Sequence, residues 1–243
     1  MASVWAIGDI HGECAKLEAL LANLPREEDD ITVYLGDYID RGPDSAGVVR
    51  RVLADYDAAP GRTVLLWGNH EDMAAGRYGL SRPSSFEYDI FDWYRNGGIQ
   101  AMKSWGHGDY DLFQADIPEE LKRLVRMLKP YWTAPEDRFP KLKNCVWVHA
   151  GVLPDTPTEE LSGDILLWVR DEFLHHPDEL GRLVIHGHTP VRKVRVTSDK
   201  IGIDTGAVFG GMLTALQMPE RRIYQADEDG KVTSEALPEP EDD

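Results

Sequence analysis

Five short apolar runs in this chain each end in a glycine-flanked Asp, Asn or His, and that repeated juncture restricts the fold more than any other feature. Val4–Ile7 leads into Gly8-Asp9-Ile10-His11-Gly12, and Ile31–Leu35 into Gly36-Asp37-Tyr38-Ile39-Asp40-Arg41-Gly42. Thr63–Trp67 is followed by Gly68-Asn69-His70-Glu71, Cys145–Val148 by His149-Ala150-Gly151, and Leu183–Ile185 by His186-Gly187-His188-Thr189. Each run has the length and β-branched content of a buried strand, and each glycine lets the backbone turn tightly after it. Between the first three runs, Cys14–Leu24 and Ser45–Tyr56 repeat apolar residues at helical spacing. Strands alternating with helices predict parallel βαβ units with right-handed crossovers. In such sheets ligands bind where loops leave the carboxyl ends of the strands, so the five clusters are expected to meet in one pocket.

The middle of the chain reads differently. Phe86–Ser104 and Pro118–Lys129 look helical, and residues 73–135 are expected to form a helical insertion without strands. Strand signals return at Asn144–Val148, Leu183–Ile185, Lys193–Val196, Ile201–Ile203, Met212–Leu216 and Arg222–Gln225. Their close spacing late in the chain predicts a second, more antiparallel sheet. Residues 1–235 are expected to form a single domain, and the Pro- and acid-rich segment 236–243 a disordered tail.

The net charge of −17 repels DNA, RNA and anionic membrane surfaces, so neither a nucleic-acid nor a membrane partner is expected. The two cysteines, Cys14 and Cys145, cannot make a disulfide framework and are too few for a thiolate zinc site; small buried side chains in a reducing compartment is the simpler reading. No secretory signal and no membrane-spanning run is legible, and a cytoplasmic protein is expected.

Taken singly the clusters are weak: an Asp-x-His is ordinarily a turn beside a solvated histidine, and an Asp-Arg-Gly a turn with a surface ion pair. Five in order, each at a strand end, leave chance a share of roughly one in a hundred. Carboxylate and amide oxygens mixed with imidazoles suit a pair of divalent ions, manganese first, with iron or zinc as alternatives. Such a pair activates a shared water near neutral pH.

The segments GDIHG, GDYIDRG, GNHE, HAG and HGHT, in this order, resemble the signature of the phosphoprotein phosphatase family of metallophosphoesterases, most closely its compact bacterial and phage members. The resemblance runs from Val4 to Ala207. It implies an α/β metallophosphoesterase fold, two mixed β-sheets packed as a sandwich flanked by α-helices. It also implies roles: Asp9 and His11 on the first metal, Asp37 bridging, and Asn69, His149 and His188 on the second. In His186-Gly187-His188 the ligand follows the glycine, which leaves His186 as a packed imidazole. His70 would protonate the leaving alkoxide with Asp40 holding the ring, while Arg41, Arg170 and Asn69 would bind the substrate phosphate. For Arg170 a helix-surface arginine paired with Asp171 or Glu172 stays open.

The mechanism so implied is direct in-line attack by metal-activated water on a phosphomonoester, without a phosphoenzyme. A phosphorylated protein or phosphopeptide, on serine or threonine and also on tyrosine, is the expected substrate, and no regulatory subunit is evident. Symmetrical dinucleoside tetraphosphatases are the alternative. Their motifs usually read Asn at the position of Asp40 and Asp at that of Glu71, which here favours the protein phosphatase. A non-catalytic phosphate-binding module is a third reading, disfavoured because every expected ligand is present. One departure stands out: small family members often carry arginine where this chain has Trp67. Its indole either stacks on an aromatic substrate group or simply packs at the strand end, the simpler case. Asn96-Gly97-Gly98 reads as a helix C-cap that could also line the cleft, and His107, His175 and His176 as exposed helix or loop residues.

Overall fold

Strand β1 (Val4–Ile7) has no exposed residue and alternates its side chains between two apolar layers. Trp5 and Ile7 pack toward helices, and Val4 and Ala6 toward a second sheet, as the two-residue period of a strand requires. A strand buried on both faces belongs at the centre of a sheet, and β1 lies between β2 (Ile31–Tyr34), which is parallel to it, and β9 (Leu213–Met218), which is antiparallel. The structure, a computed structural model, describes residues 2–108, 114–176 and 180–240.

The first sheet runs in the order β11, β10, β9, β1, β2, β3, with β3 at Thr63–Leu65, β10 at Arg222–Ala226 and β11 at Val232–Ala236. The second runs β4 (Tyr131–Thr133), β5 (Cys145–Val148), β6 (Leu183–His186), β8 (Lys200–Gly202), β7 (Arg195–Val196). Its inner trio β5, β6 and β8 is parallel, and both edge strands are antiparallel. Between the sheets lie Val33, Leu35 and Leu66 against Trp147, Ile185 and Ile203. Helices α1 (Cys14–Asn23) and α2 (Ser45–Ala58) cover the outer face of the first sheet with Leu17, Leu20, Val49 and Val52. Helix α3 (Asn69–Arg77) leaves β3. Three short helices, α4 (Ile90–Trp93), α5 (Ile99–Ser104) and α6 (Glu119–Val125), follow it. Helices α7 (Gly163–Trp168) and α8 (Asp171–Leu174) cover the second sheet, where Leu166, Val169 and Phe173 meet Val146 and Val184. The sandwich of two mixed sheets flanked by helices is the fold expected from the sequence.

Several boundaries differ from expectation. The late strands do not make a sheet of their own: β9 and β10 return to the first sheet, while β7 and β8 join the second. The stretch 73–135 is not purely helical, because Tyr131–Thr133 pairs antiparallel with β5. Residues 86–89 precede the helix rather than belong to it. Asn96-Gly97-Gly98 does not end a helix. Tyr94–Gly98 forms a π-helical turn with Gly97 at φ 112°, and α5 continues beyond it. The tail begins later than predicted, since Ala236 closes β11 and the buried Leu237 donates its N–H to Arg221 O at 2.8 Å; 241–243 lie outside the described residues. Cys145 is buried and Cys14 half-buried, both free. Among the described residues no helix is long and apolar enough to cross a membrane.

Candidate active site

Parallel strands β1, β2 and β3 of one sheet and β5, β6 and β8 of the other deliver their following loops to a common edge of the sandwich. The turns there are tight enough to force non-glycine residues into left-handed backbone: His11 (φ 45°), Asp37 (51°), Asp40 (77°), Arg41 (66°) and His188 (64°). Such conformations cost energy for residues with a Cβ and gather where surrounding structure imposes them for a purpose. Gly187 meets a different demand, since a Cβ there would strike the Asp9 carboxylate.

Asp37 occupies the middle of the pocket. One carboxylate oxygen is 3.3 Å from His11 Nε2 and the other 3.5 Å from His149 Nε2, with His70 Nε2 at 4.0 Å from the first. Asn69 Oδ1 lies 3.0 Å from both His149 Nε2 and His188 Nδ1. The far nitrogens are anchored: His11 Nδ1 is 2.9 Å from Ile39 O, and His149 Nδ1 is 2.9 Å from Leu35 O. Those carbonyl acceptors put the proton on Nδ1 and turn the Nε2 lone pairs inward, as metal-ligating histidines require. Among the described residues two groups of potential ligands result, His11–Asp37–His70 and Asp37–His149–His188. Within each, the ligand atoms lie within 4.8 Å of one another, and Asp37 is common to both. Buried His70 Nε2 and His188 Nε2 have no hydrogen-bond partner among the described residues, which is costly unless something else satisfies them. Burial pushes the Asp37 carboxyl up, but His149, His70 and His11 together outweigh it and hold Asp37 well below the usual carboxylate range.

Asp9 is buried beside this centre, its carboxylate against the Gly187–His188 backbone. Both its oxygens accept the His188 N–H, at 3.2 and 3.0 Å. Burial, then Asp204 and Asp37, push the Asp9 carboxyl well above its ordinary value. Asp204, buried at the end of β8, was not singled out from the sequence. Its signal was there: Ile201–Ile203 is an apolar run followed by Asp204-Thr205-Gly206, the same juncture as the other five.

His70 Nδ1 sits 2.6 Å from Asp40 Oδ2, both groups fully buried. A second residue missed by sequence reasoning completes this pair: Trp93 Nε1 donates to both Asp40 oxygens, at 3.0 and 2.8 Å. The π-helical turn makes this possible. It brings the backbone at Gly97 so close to Arg41 that a Cβ there would strike the Arg41 nitrogen. Glu71 has a structural task, accepting backbone N–H groups of Asp37, Tyr38, Ile39 and Gly68 at 2.9–3.2 Å. It thereby ties the second motif to the third.

The calcineurin-like phosphoesterase profile matches residues 2–209, which contain all these loops. The chain belongs to that family. An asymmetrical bis(5'-nucleosyl)-tetraphosphatase of Halalkalibacterium halodurans is 27% identical over 88% of this chain and 89% of its own. Serine/threonine-protein phosphatase 1 of Salmonella typhimurium is 29% identical over 87% and 89%. A solved protein serine/threonine phosphatase of Saccharomyces cerevisiae shares the fold, with a TM-score of 0.62 at 14% identity over 100% of this chain and 81% of that one.

The phosphoesterase carries its cations and aromatics at the rim of the pocket. The half-buried Arg41 reaches His11 Nε2 at 2.7 Å, and its guanidinium lies 5.5 Å from the exposed Phe209 ring. Arg170 is exposed, precedes α8 and approaches Thr189 Oγ1 at 3.5 Å. It is close enough to depress the His149 and His188 imidazoles, although burial is the larger cause. On that side Trp168 stands edge-on to His188 at 6.2 Å, and exposed Phe86 stands edge-on to Trp168 at 5.7 Å. His186 is packed against Phe173 and pushed down to about 4 by burial, hence neutral. Trp67 is a packed residue: it is buried in the core and borders a cavity of about 540 Å³ with Leu80, Arg82 and Arg126. His175 is exposed, while His107 and His176 are half-buried.

Proposed function

We propose that this phosphoesterase hydrolyses bis(5'-nucleosyl) tetraphosphates. The observation that carries the reading is the pair of exposed phenylalanines flanking the pocket, Phe209 beside Arg41 and Phe86 beside Trp168, since nucleobases stack on such rings. The names of relatives such as the Halalkalibacterium enzyme point the same way. Phosphoprotein was the first expectation from sequence, on the strength of Asp40 and Glu71. Both are buried, Glu71 bonded to backbone and Asp40 to His70 and Trp93. They report on how the site is built inside, and leave the substrate to the rim.

Asp9, His11 and Asp37 on one side and Asp37, Asn69, His149 and His188 on the other would hold two divalent ions, manganese first with iron or zinc as alternatives. When bound, these ions supply charge neutralisation at the phosphate and a water acidic enough to attack it. Asp37 stays ionised between the two sides. Arg41 and Arg170 grip non-bridging oxygens from opposite edges, where planar donors match the spreading charge. Asn69 orients the phosphate beside them. His70, held by Asp40, gives a proton to the departing oxygen. The cytoplasm is the location we propose for this reaction.

Phosphoprotein is the second reading, favoured by the Salmonella relative and by an acid pair suited to an alkoxide leaving group. The manganese-loaded protein should be given diadenosine tetraphosphate and a phosphoserine peptide in parallel, with nucleotide products separated by chromatography. Higher kcat/KM on the dinucleotide supports the proposal, and two diphosphates or a triphosphate with a monophosphate report where the chain is cut. Faster turnover of the peptide with the dinucleotide left intact would overturn it.

A further inference from the structure

The loop after β8 holds an exposed aromatic residue on an unusually fixed backbone. Lys16, itself buried, donates through Nζ to Ala207 O at 2.6 Å and Gly211 O at 3.0 Å. Thr205 Oγ1 donates to Met212 O at 2.7 Å, and the N–H groups of Phe209 and Gly211 both reach Gly206 O at 2.9 Å. Burying a lysine to brace a surface loop makes sense where the loop must present something in place. What it presents is Phe209, 64% exposed and the most exposed large apolar side chain among the described residues.

Phe209 stands between two features. Arg41 is on one side, 5.5 Å from the ring and bonded to His11. On the other is a cavity of about 350 Å³ bordered by Pro190, Val191, Arg192, Thr205, Gly206 and Phe209. Pro190 comes two residues after His188 and Thr205 directly after Asp204, so the cavity adjoins the metal-ligand loops without containing a ligand. A flat ring, an apolar floor and an exposed arginine, Arg192, in a cavity adjoining a hydrolytic centre fit one ligand class.

We propose that this cavity is a nucleobase subsite, in which a base stacks on Phe209 and Arg192 meets the ribose-phosphate link to a phosphate chain lying at the centre. The subsite deepens the nucleotide reading and rests on it. The competing role for Phe209 is mechanical: its ring could simply steady Arg41. The two roles separate on ligands with and without a base.

Affinities of the manganese-loaded full-length protein for ADP and for inorganic phosphate should be measured by calorimetry, in wild type, Phe209→Ala and Phe209→Trp. Truncating a side chain this exposed leaves no cavity in the core, and circular dichroism checks the fold. The expected result is ADP weakened roughly tenfold in the Ala variant and restored in the Trp variant, with phosphate shifted by much less. Equal weakening of both ligands would make Phe209 a support for Arg41, and no change in ADP would remove it from the site; either overturns the subsite. Diadenosine tetraphosphate turnover by the wild type keeps the two ideas apart. Cleavage with ADP indifferent to Phe209 sinks only the subsite, and Phe209-dependent ADP binding without cleavage sinks only the substrate reading.

Discussion

His70 bonds Asp40 at 2.6 Å, and Asp40 is held in turn by the Trp93 indole. A proton donor matters in proportion to the basicity of the group that leaves. His70→Asn is therefore expected to cut kcat on a phosphoserine peptide by roughly 10²–10⁴-fold, and on p-nitrophenyl phosphate, whose leaving group needs little protonation, by far less. Equal losses on both would remove His70 from the acid role. Burial, then Glu71, push the Asp40 carboxyl up, and the Trp93 bond opposes them. Trp93→Phe takes that donor away. A hydrogen bond to a charged group is worth roughly 1.5–3 kcal/mol, so kcat on the peptide should fall about tenfold or more while KM moves little. An unchanged kcat would reduce Trp93 to packing. At this scale the sequence was legible wherever glycine marked a strand end. Asp204 carried the same mark and was passed over. Trp93 could not be found, because its contact with Asp40 spans 53 positions and depends on a turn that reads as a helix end.

Helix α2 is joined to β2 by a polar cluster as well as by apolar packing. Tyr34 donates to Asp55 at 2.6 Å, and Arg26 and Arg51 pair with the same carboxylate. Burial raises the Asp55 carboxyl, but Tyr34 and the two arginines outweigh it and leave it lowered. A carboxyl lowered in the folded state stabilises above its unfolded value, near pH 4, and loses that contribution as pH falls through the folded one. Asp55→Asn should thus destabilise by about 1 kcal/mol at pH 7, the arginines being partly solvated. In urea melts the deficit should shrink below pH 4, and a deficit independent of pH would contradict the argument. Strand β11 shows why some elements escaped notice. Four of its five residues are exposed, so its pairing with β10 lives in backbone hydrogen bonds with no alternation of side chains to betray it. β4 is three half-exposed or exposed residues set off by Pro130 and Pro135, too short for any period to register.

For the whole molecule, the pocket gathers Asp9, Asp37 and Asp204 out of water while the chain as a whole carries −17. Cations that bind only the folded state stabilise it by mass action, about 2.7 kcal/mol at a hundredfold excess over Kd. Manganese is expected to raise Tm by several degrees in wild type and by much less in Asp37→Ala, read by differential scanning calorimetry. Equal rises in both would place the ion elsewhere. The order of the first sheet bears on how this protein is made. β1 carries Asp9 at its end and lies between residues 31–34 and residues 213–218. β1 is translated before either neighbour, yet gains the second only after about two hundred further residues, once 213–218 have been made. Until then one of its edges is unpaired and apolar, a template for any extended segment that meets it. A ribosome that stalls before residue 213 would release a chain with that edge still open, so the accuracy of synthesis and the solubility of the product are coupled through one strand.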